Sequence, residues 1–320
     1  MKIGILTQPL HNNYGGLLQN YALQKVLTEL GHEVLTINVV PNRKNLFKKL
    51  FWIGVRLLLK LSGRKLKVFR TRPSKDESKI ISRYTSQFIE RNISTTKLIK
   101  RKVNVRVLSK YSFDTYIVGS DQVWRPCYSP QQSTYFLDFL KDNSNVKKLA
   151  YAASFGVSEW EFNKKQTLEF GMLLKLFDAV SVREDSGVEL CKRYFDVEVT
   201  HLLDPTMLLT KDDYISLVEK ENIKESPGNL FTYILDSSGE KNSVVNKIAN
   251  KYDLKPFSVM QPKRFTDVDR NGIDDCVFPP VEEWIRGFMD AEFVVTDSFH
   301  GTVFSILFNK PFITIANNNR

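Results

Sequence analysis

Apolar residues in this chain fall mostly in short β-rich runs, each followed by a polar loop and then a helix-like stretch. Such alternation predicts a parallel α/β sheet whose strands are buried on both faces. Residues from Lys2 to Thr7 read as a first strand, and a loop holding Asn12, Asn13, Gly15 and Gly16 follows. A helix is expected from about Leu17 to Leu30, stopping at Gly31 as its C′ residue. Further strands are expected from Glu33 to about Val39, from Asp114 to Val118, from Lys148 to Ala153, from Ala179 to Val182 and from Val197 to His201. A polar helical region lies between about Asp76 and Lys110, and another helix between about Lys164 and Phe177.

After Asp204-Pro205 the pattern restarts. A strand near Leu230 to Leu235, a helix near Lys241 to Tyr252, a short strand near Lys255 to Met260 and a helix near Pro280 to Ala291 are expected. The last unit is Phe293-Val-Val-Thr-Asp-Ser-Phe-His-Gly301, which reads as a buried strand and a polar turn. A helix from about Gly301 to Phe308 and an apolar run after Pro311 complete it. The boundary falls near 203–210, giving an N-terminal α/β unit, 1–205, and a C-terminal one, 206–320, with a ligand crevice between them.

Polar clusters directly follow the strands, and in a parallel sheet such loops gather on one edge, where ligands bind. Gly15, Asp121, Ser154 and Arg183 are therefore expected to face a common crevice. Gly15-Gly16 fits a tight turn for helix packing, and equally a close backbone approach to an anionic or sugar ligand. In the final turn Thr296, Asp297, Ser298 and His300 share a loop with a helix start, whose amides can meet an anion. A lone histidine is more often packed than catalytic; the polar neighbours favour function here. No GxGxxG follows a strand and no P-loop occurs. Asp267-Val-Asp-Arg-Asn-Gly-Ile-Asp274 imitates a calcium loop, but its twelfth position is Phe278 where a bidentate Glu is needed, so an acidic turn is expected.

Composition sharpens two points. The three cysteines, Cys127, Cys191 and Cys276, are far apart, which argues against disulfide or zinc scaffolding and fits a reducing cytosol. The start of the chain lacks the pattern of a secretory signal. The net charge is +10, yet twelve basic and no acidic residues lie between Asn42 and Lys75, so the rest of the sequence carries −2. Within that arm, 42–75, an apolar run from Leu46 to Leu61 is studded with Lys48, Lys49, Arg56 and Lys60. It is too charged and short to span a bilayer. It suits an amphipathic element at an anionic membrane surface, or a packed helix with a solvated basic face. No nucleic-acid-binding module accompanies the charge, so nucleic acid is not an expected partner.

Taken together, Tyr14-Gly-Gly-Leu-Leu-Gln-Asn20, Val118-Gly-Ser-Asp-Gln-Val-Trp124, Tyr151-Ala-Ala-Ser-Phe-Gly156, Ser181-Val-Arg-Glu184, Asp204-Pro205-Thr206 and Thr296-Asp-Ser-Phe-His-Gly301 resemble the polysaccharide pyruvyl transferase family in order and spacing over nearly the whole chain. The resemblance implies a GT-B-like fold of two Rossmann-like domains with parallel sheets facing a central crevice. It implies transfer of a pyruvyl group from phosphoenolpyruvate to a sugar of a polysaccharide or lipid-linked oligosaccharide, as a ketal. By the same resemblance Arg183 holds the donor's phosphate or carboxylate, with Thr296, Ser298 and Gly301 beside it, and His300 is the acid or a phosphate partner. Asp121 would accept a hydroxyl proton, with Gly15, Gly16, Ser154 and Asp204 lining the crevice on the acceptor side. Many relatives carry Arg two residues before the histidine, where this chain has Ser298; that removes one cation from the anion site, and either the donor is held differently or Ser298 and the helix amides substitute.

The implied chemistry calls for an acid, a base and a cationic clamp, and for no metal or other cofactor. A cytoplasmic location, peripheral at the inner face of the membrane, fits a lipid-linked acceptor. Proteins of this fold usually close with helices beyond the point where the given sequence stops, at Asn317-Asn-Asn-Arg320. The alternatives are a GT-B-like glycosyltransferase using a nucleotide-sugar and a non-catalytic recruitment module for polysaccharide assembly.

Overall fold

The computed structural model describes residues 1–40, 55, 72–100, 103–129 and 131–316. Six strands form the first sheet: β1 (Lys2–Leu6), β2 (Glu33–Thr36), β3 (Thr115–Val118), β4 (Lys147–Ala153), β5 (Ala179–Val182) and β6 (Thr200–His201). They pair in the order β2-β1-β3-β4-β5-β6, every pair parallel. Four more strands, β7 (Leu230–Tyr233), β8 (Pro256–Phe257), β9 (Phe293–Thr296) and β10 (Phe312–Thr314), pair in parallel as β10-β9-β7-β8. Numbered from its own first strand, each sheet begins 2-1-3-4. Each therefore reverses strand order between its first and third strands, and the loops at that point are where such sheets receive ligands.

The central strands are apolar because both faces are covered. All four residues of β3 are buried, as are four of the five in β1. The main described helices are α1 (Tyr14–Glu29), α2 (Lys75–Ile81), α3 (Arg83–Asn92), α4 (Val105–Leu108), α5 (Lys164–Leu174), α6 (Asp185–Leu190), α7 (Lys211–Lys220), α8 (Gly239–Tyr252), α9 (Val281–Asp290) and α10 (Phe299–Leu307). Among the described residues no helix is long and apolar enough to cross a membrane.

Helix α1 joins the two halves. Its Tyr14, Leu17 and Leu18 belong to one buried cluster with Phe231, Trp284, Phe288 and Phe304 of the second sheet's layer. The Tyr14 hydroxyl also donates to the Pro279 carbonyl at 2.9 Å. This packing fixes the N-terminus of α1 against the loops after β9.

Several elements differ from the sequence reading. Helix α1 begins three residues early, because Asn13 caps it by accepting from the Gly16 amide at 3.2 Å. Gly15 and Gly16 thus stand in the first helical turn. At its other end Gly31 takes φ +83°, the left-handed stop that was expected. Helix α10 likewise begins at Phe299, with Ser298 as cap, so His300 is already helical. Strand β2 ends at Thr36, leaving isolated bridges Thr36–Thr95 and Val39–Ile99. The region 76–110 breaks into α2, α3, an extended stretch and the short α4. The calcium-loop mimic lies where a 3-10 segment, Arg270–Cys276, forms, and Asp275 pairs with Lys263 at 2.9 Å. The cationic stretch 42–75 lies almost wholly outside the described residues.

Candidate active site

Asp204 stands on the chain that leaves β6 for the second sheet and is 2% exposed. Its Oδ1 accepts from the Thr206 amide at 3.0 Å and the Thr206 hydroxyl at 2.8 Å. Its Oδ2 accepts from Arg183 Nη1 at 3.1 Å and lies 3.7 Å from His300 Nε2. Ser120 Oγ sits 2.7 Å from the Ala152 carbonyl and 3.2 Å from Asp204 Oδ2, one hydroxyl hydrogen between two acceptors. Burial opposes the charged form of Asp204. The approach of His300, the charge of Arg183 and the Thr206 amide outweigh it and hold the carboxyl well below the ordinary carboxylate range.

Arg183 leaves the C-terminal end of β5, and its side chain is 6% exposed. Besides Asp204, its Nη2 donates to Ser154 Oγ at 3.2 Å, and Asp121 Oδ1 lies 4.0 Å from Nη1. Burial by itself would lower its affinity for the proton, but the carboxylates of Asp204, Asp121 and Glu184 more than compensate, so Arg183 is a permanent cation. The guanidinium carbon lies over the Phe299 ring, 4.1 Å from its centroid. A guanidinium offers five N–H donors, and two are taken by Asp204 and Ser154.

His300 enters from the opposite sheet. It is 6% exposed, and its Nε2 has no hydrogen-bond partner among the described residues. The atom faces Asp204 Oδ2 at 3.7 Å, beyond hydrogen-bond length, so its hydrogen-bonding capacity is unspent. The imidazole's other side rests on Gly15.

The remaining crevice residues are held by a second layer of contacts. Gln19 of α1 donates to Thr7 Oγ1 at 2.9 Å and accepts from the Ser120 amide at 3.0 Å, tying the loops after β1 and β3 together. Asp121 follows the cis peptide Gly119–Ser120 and has φ +68°. Its Oδ1 accepts from the Gln122 amide at 2.8 Å. A Cβ on Gly16 would come 3.3 Å from Asp121 Oδ2, so the first turn of α1 closes on this carboxylate. Glu184 Oε1 accepts from the amides of Phe155 and Gly156, at 2.6 and 3.0 Å, and from Ser154 Oγ at 3.1 Å.

The structure thus brings Gly15, Gly16, Asp121, Ser154, Arg183, Asp204 and His300 together. Three of the expected donor-side residues brace the turn beneath. Thr296 is fully buried; its hydroxyl donates to the Tyr233 carbonyl at 2.8 Å and accepts from the Ser298 amide at 3.1 Å. Ser298 Oγ caps α10 by accepting from the Gly301 amide at 3.4 Å. Gly301 is required by packing, since a Cβ there would lie 2.2 Å from Thr296 Oγ1. Phe299, Glu184 and Gln19 were assigned no role from sequence. The adjacency of Glu184 to Arg183 at a strand end was the available signal; nothing local distinguishes Gln19.

The corresponding point of the second sheet, between β7 and β9, is closed from within. The Asp297 carboxylate accepts from the Leu235 amide at 2.7 Å and from Lys241 Nζ at 2.7 Å, and Lys241 also pairs with Asp236.

Two parallel Rossmann-like sheets with a polar crevice between them define a GT-B-like α/β protein. Solved structures share this fold. A UDP-GlcNAc 2-epimerase from Methanocaldococcus jannaschii is similar at TM-score 0.51 and 13% identity, over 99% of this chain and 84% of that one. The S. aureus MnaA–UDP co-structure is similar at TM-score 0.51 and 11% identity, over 99% and 79%. The UDP-GlcNAc 2-epimerase from Neisseria meningitidis gives 0.50 and 11%, over 98% and 82%. No curated protein matches in sequence. The family itself is shown by sequence: the polysaccharide pyruvyl transferase profile matches residues 13–319, and the chain belongs to that family.

Proposed function

We propose that this transferase moves a pyruvyl group from phosphoenolpyruvate onto two hydroxyls of a saccharide, forming a ketal. The observation carrying the reading is the convergence of a buried, permanent cation, Arg183, and an unsatisfied His300 Nε2 at the crevice of a family member. Arg183 holds the donor carboxylate or phosphate through its remaining donors. His300, as imidazolium, gives its proton to the donor's methylene carbon, and the adjacent carbon becomes oxocarbenium-like. One sugar hydroxyl attacks that carbon and loses its proton to Asp121; the second attacks as the C–O bond to phosphate breaks, and phosphate carries off the remaining proton. Two hydroxyl protons are thus lost, one is balanced by the new methyl group and one leaves with phosphate. Ser298, as the cap of α10, keeps the Phe299 and His300 amides presented at the crevice. The acceptor is a sugar of a polysaccharide or lipid-linked oligosaccharide, handled in the cytoplasm.

The nucleotide-sugar alternative is disfavoured by Asp297, whose carboxylate occupies the β7–β9 loops where a diphosphate would compete with it. Thermal shift separates the two, because a ligand that binds only the native state raises its stability. Phosphoenolpyruvate should stabilise the protein, while UDP-GlcNAc should not; the reverse result rejects the proposal. His300→Ala should cut phosphate release with an oligosaccharide acceptor by roughly 10²–10⁴-fold with little loss of donor stabilisation. Arg183→Ala should remove the stabilisation, and Arg183→Lys should restore it only in part.

A further inference from the structure

Beside Arg183 opens a cavity of about 500 Å³. Its walls include Gln122, Glu159, Glu161, Glu184, Ser186 and Phe299. Two features set it apart from an ordinary cleft. Phe299 is 46% exposed although it sits in the first turn of a helix whose neighbours His300 and Gly301 are buried. The Arg183 guanidinium lies over its ring, and the ring also lines the cavity as an exposed apolar surface. The second feature is charge. Three glutamates line the space against one guanidinium that is already paired with Asp204; of the three, Glu184 is held through Oε1 by the Phe155 and Gly156 amides and Ser154 Oγ. Glu161 Oε2 lies 3.6 Å from Arg125 Nε, whereas Glu159 is exposed and has no ion pair among the described residues.

A small cavity with one fixed aromatic surface and a few convergent polar groups is the form of a small-ligand site. Carboxylates are acceptors only, suited to hydroxyl or ammonium donors, and they repel another carboxylate. We propose that this cavity is the acceptor subsite, that the sugar ring lies on Phe299, and that the site takes a neutral or amino-bearing saccharide and rejects an acidic one. The assignment rests on the saccharide acceptor of the proposed function. It places the acceptor beside the cation that holds the donor, since Arg183 itself lines the cavity. A free amino group would gain further from the carboxylates and from the aromatic face.

The test uses the full chain and three probes, glucosamine, methyl β-galactoside and glucuronate, titrated by ligand-observed NMR. Glucosamine should bind tightest, and glucuronate at least about tenfold more weakly, as like charges oppose its entry. Phe299→Ala should weaken glucosamine and the galactoside about tenfold, and Phe299→Trp should recover most of the loss. Glu159→Gln should bring glucuronate and glucosamine to within about threefold of one another. Glucuronate binding as tightly as glucosamine, Phe299→Ala leaving all three probes unchanged, or no binding by any probe would each overturn the assignment. Phosphoenolpyruvate stabilisation is measured on the same samples. Sugar binding of the expected pattern without donor stabilisation leaves the acceptor subsite standing and rejects the donor.

Discussion

Gly15 and His300, 285 positions apart in sequence, are in van der Waals contact across the crevice, and no side chain fits between them. A Cβ built on Gly15 would lie 2.1 Å from both Cγ and Nδ1 of the imidazole. The first turn of α1 therefore sets the position of a ring carried by α10. Gly15→Ala should push His300 off Asp204 and cost about 1–3 kcal/mol of stability through overpacking. Turnover should fall at least as far as in His300→Ala, and the double variant should be little worse than either, because the two changes act on one group. Additive losses in the double-mutant cycle would show that Gly15 acts elsewhere.

Asp204 makes the crevice acid-sensitive. Its carboxyl titrates lower in the folded chain than the ordinary value of about 3.9. Its contribution to stability is therefore complete above about pH 4 and is lost as pH falls through the depressed folded value. Denaturant unfolding between neutral pH and about pH 3 should show this decline, and Asp204→Asn should have a shallower one. The same substitution leaves Arg183 buried without its main counter-charge and should cost about 3–5 kcal/mol at neutral pH. A pH profile unchanged in the variant would assign the acid sensitivity to other carboxylates.

Asp297 should be a stability residue. Asp297→Ala leaves the Leu235 amide without its acceptor and removes the buried partner of Lys241. A loss of about 2–4 kcal/mol in urea unfolding is expected. If the variant gains stabilisation by UDP-GlcNAc that the parent lacks, the carboxylate is what keeps this edge closed to diphosphates; no gain means that the β7–β9 loops lack the site altogether.

The cationic stretch from Asn42 to Lys75 should bring the protein to anionic lipid. Each basic residue near such a surface contributes about 1 kcal/mol, so a few suffice for salt-sensitive attachment. Co-sedimentation should be strong with phosphatidylserine vesicles, weak with neutral ones, and reduced by changing Lys48, Lys49, Arg56 and Lys60 to Glu. Equal binding to both vesicle types would reject electrostatic attachment.

Much of this architecture was legible along the chain. Runs such as Ile3–Leu6, Tyr116–Val118 and Phe293–Val295 name buried parallel strands because no strand could bear such residues on a wet face. The gathering of Asp121, Ser154, Arg183 and Asp204 at one edge follows from parallel order alone, since every strand then ends on the same side. Helix starts were misplaced by two or three residues at Gly15 and Gly301. There the glycines read as turn residues, while Asn13 and Ser298 supply the caps that begin the helices.

Period, punctuation and order are local properties, and they dictate the two α/β units, the edge where the loops gather and the residue types available there. Tertiary structure alone decided which of those residues became partners. That His300 closes on Asp204 and that Phe299 packs against Arg183 depend on how α1 seats one sheet against the other. Contacts between residues a hundred or more positions apart are settled by the packing of Tyr14, Leu17 and Leu18 among Trp284 and Phe304, and no local pattern encodes the ångström on which a hydrogen bond depends.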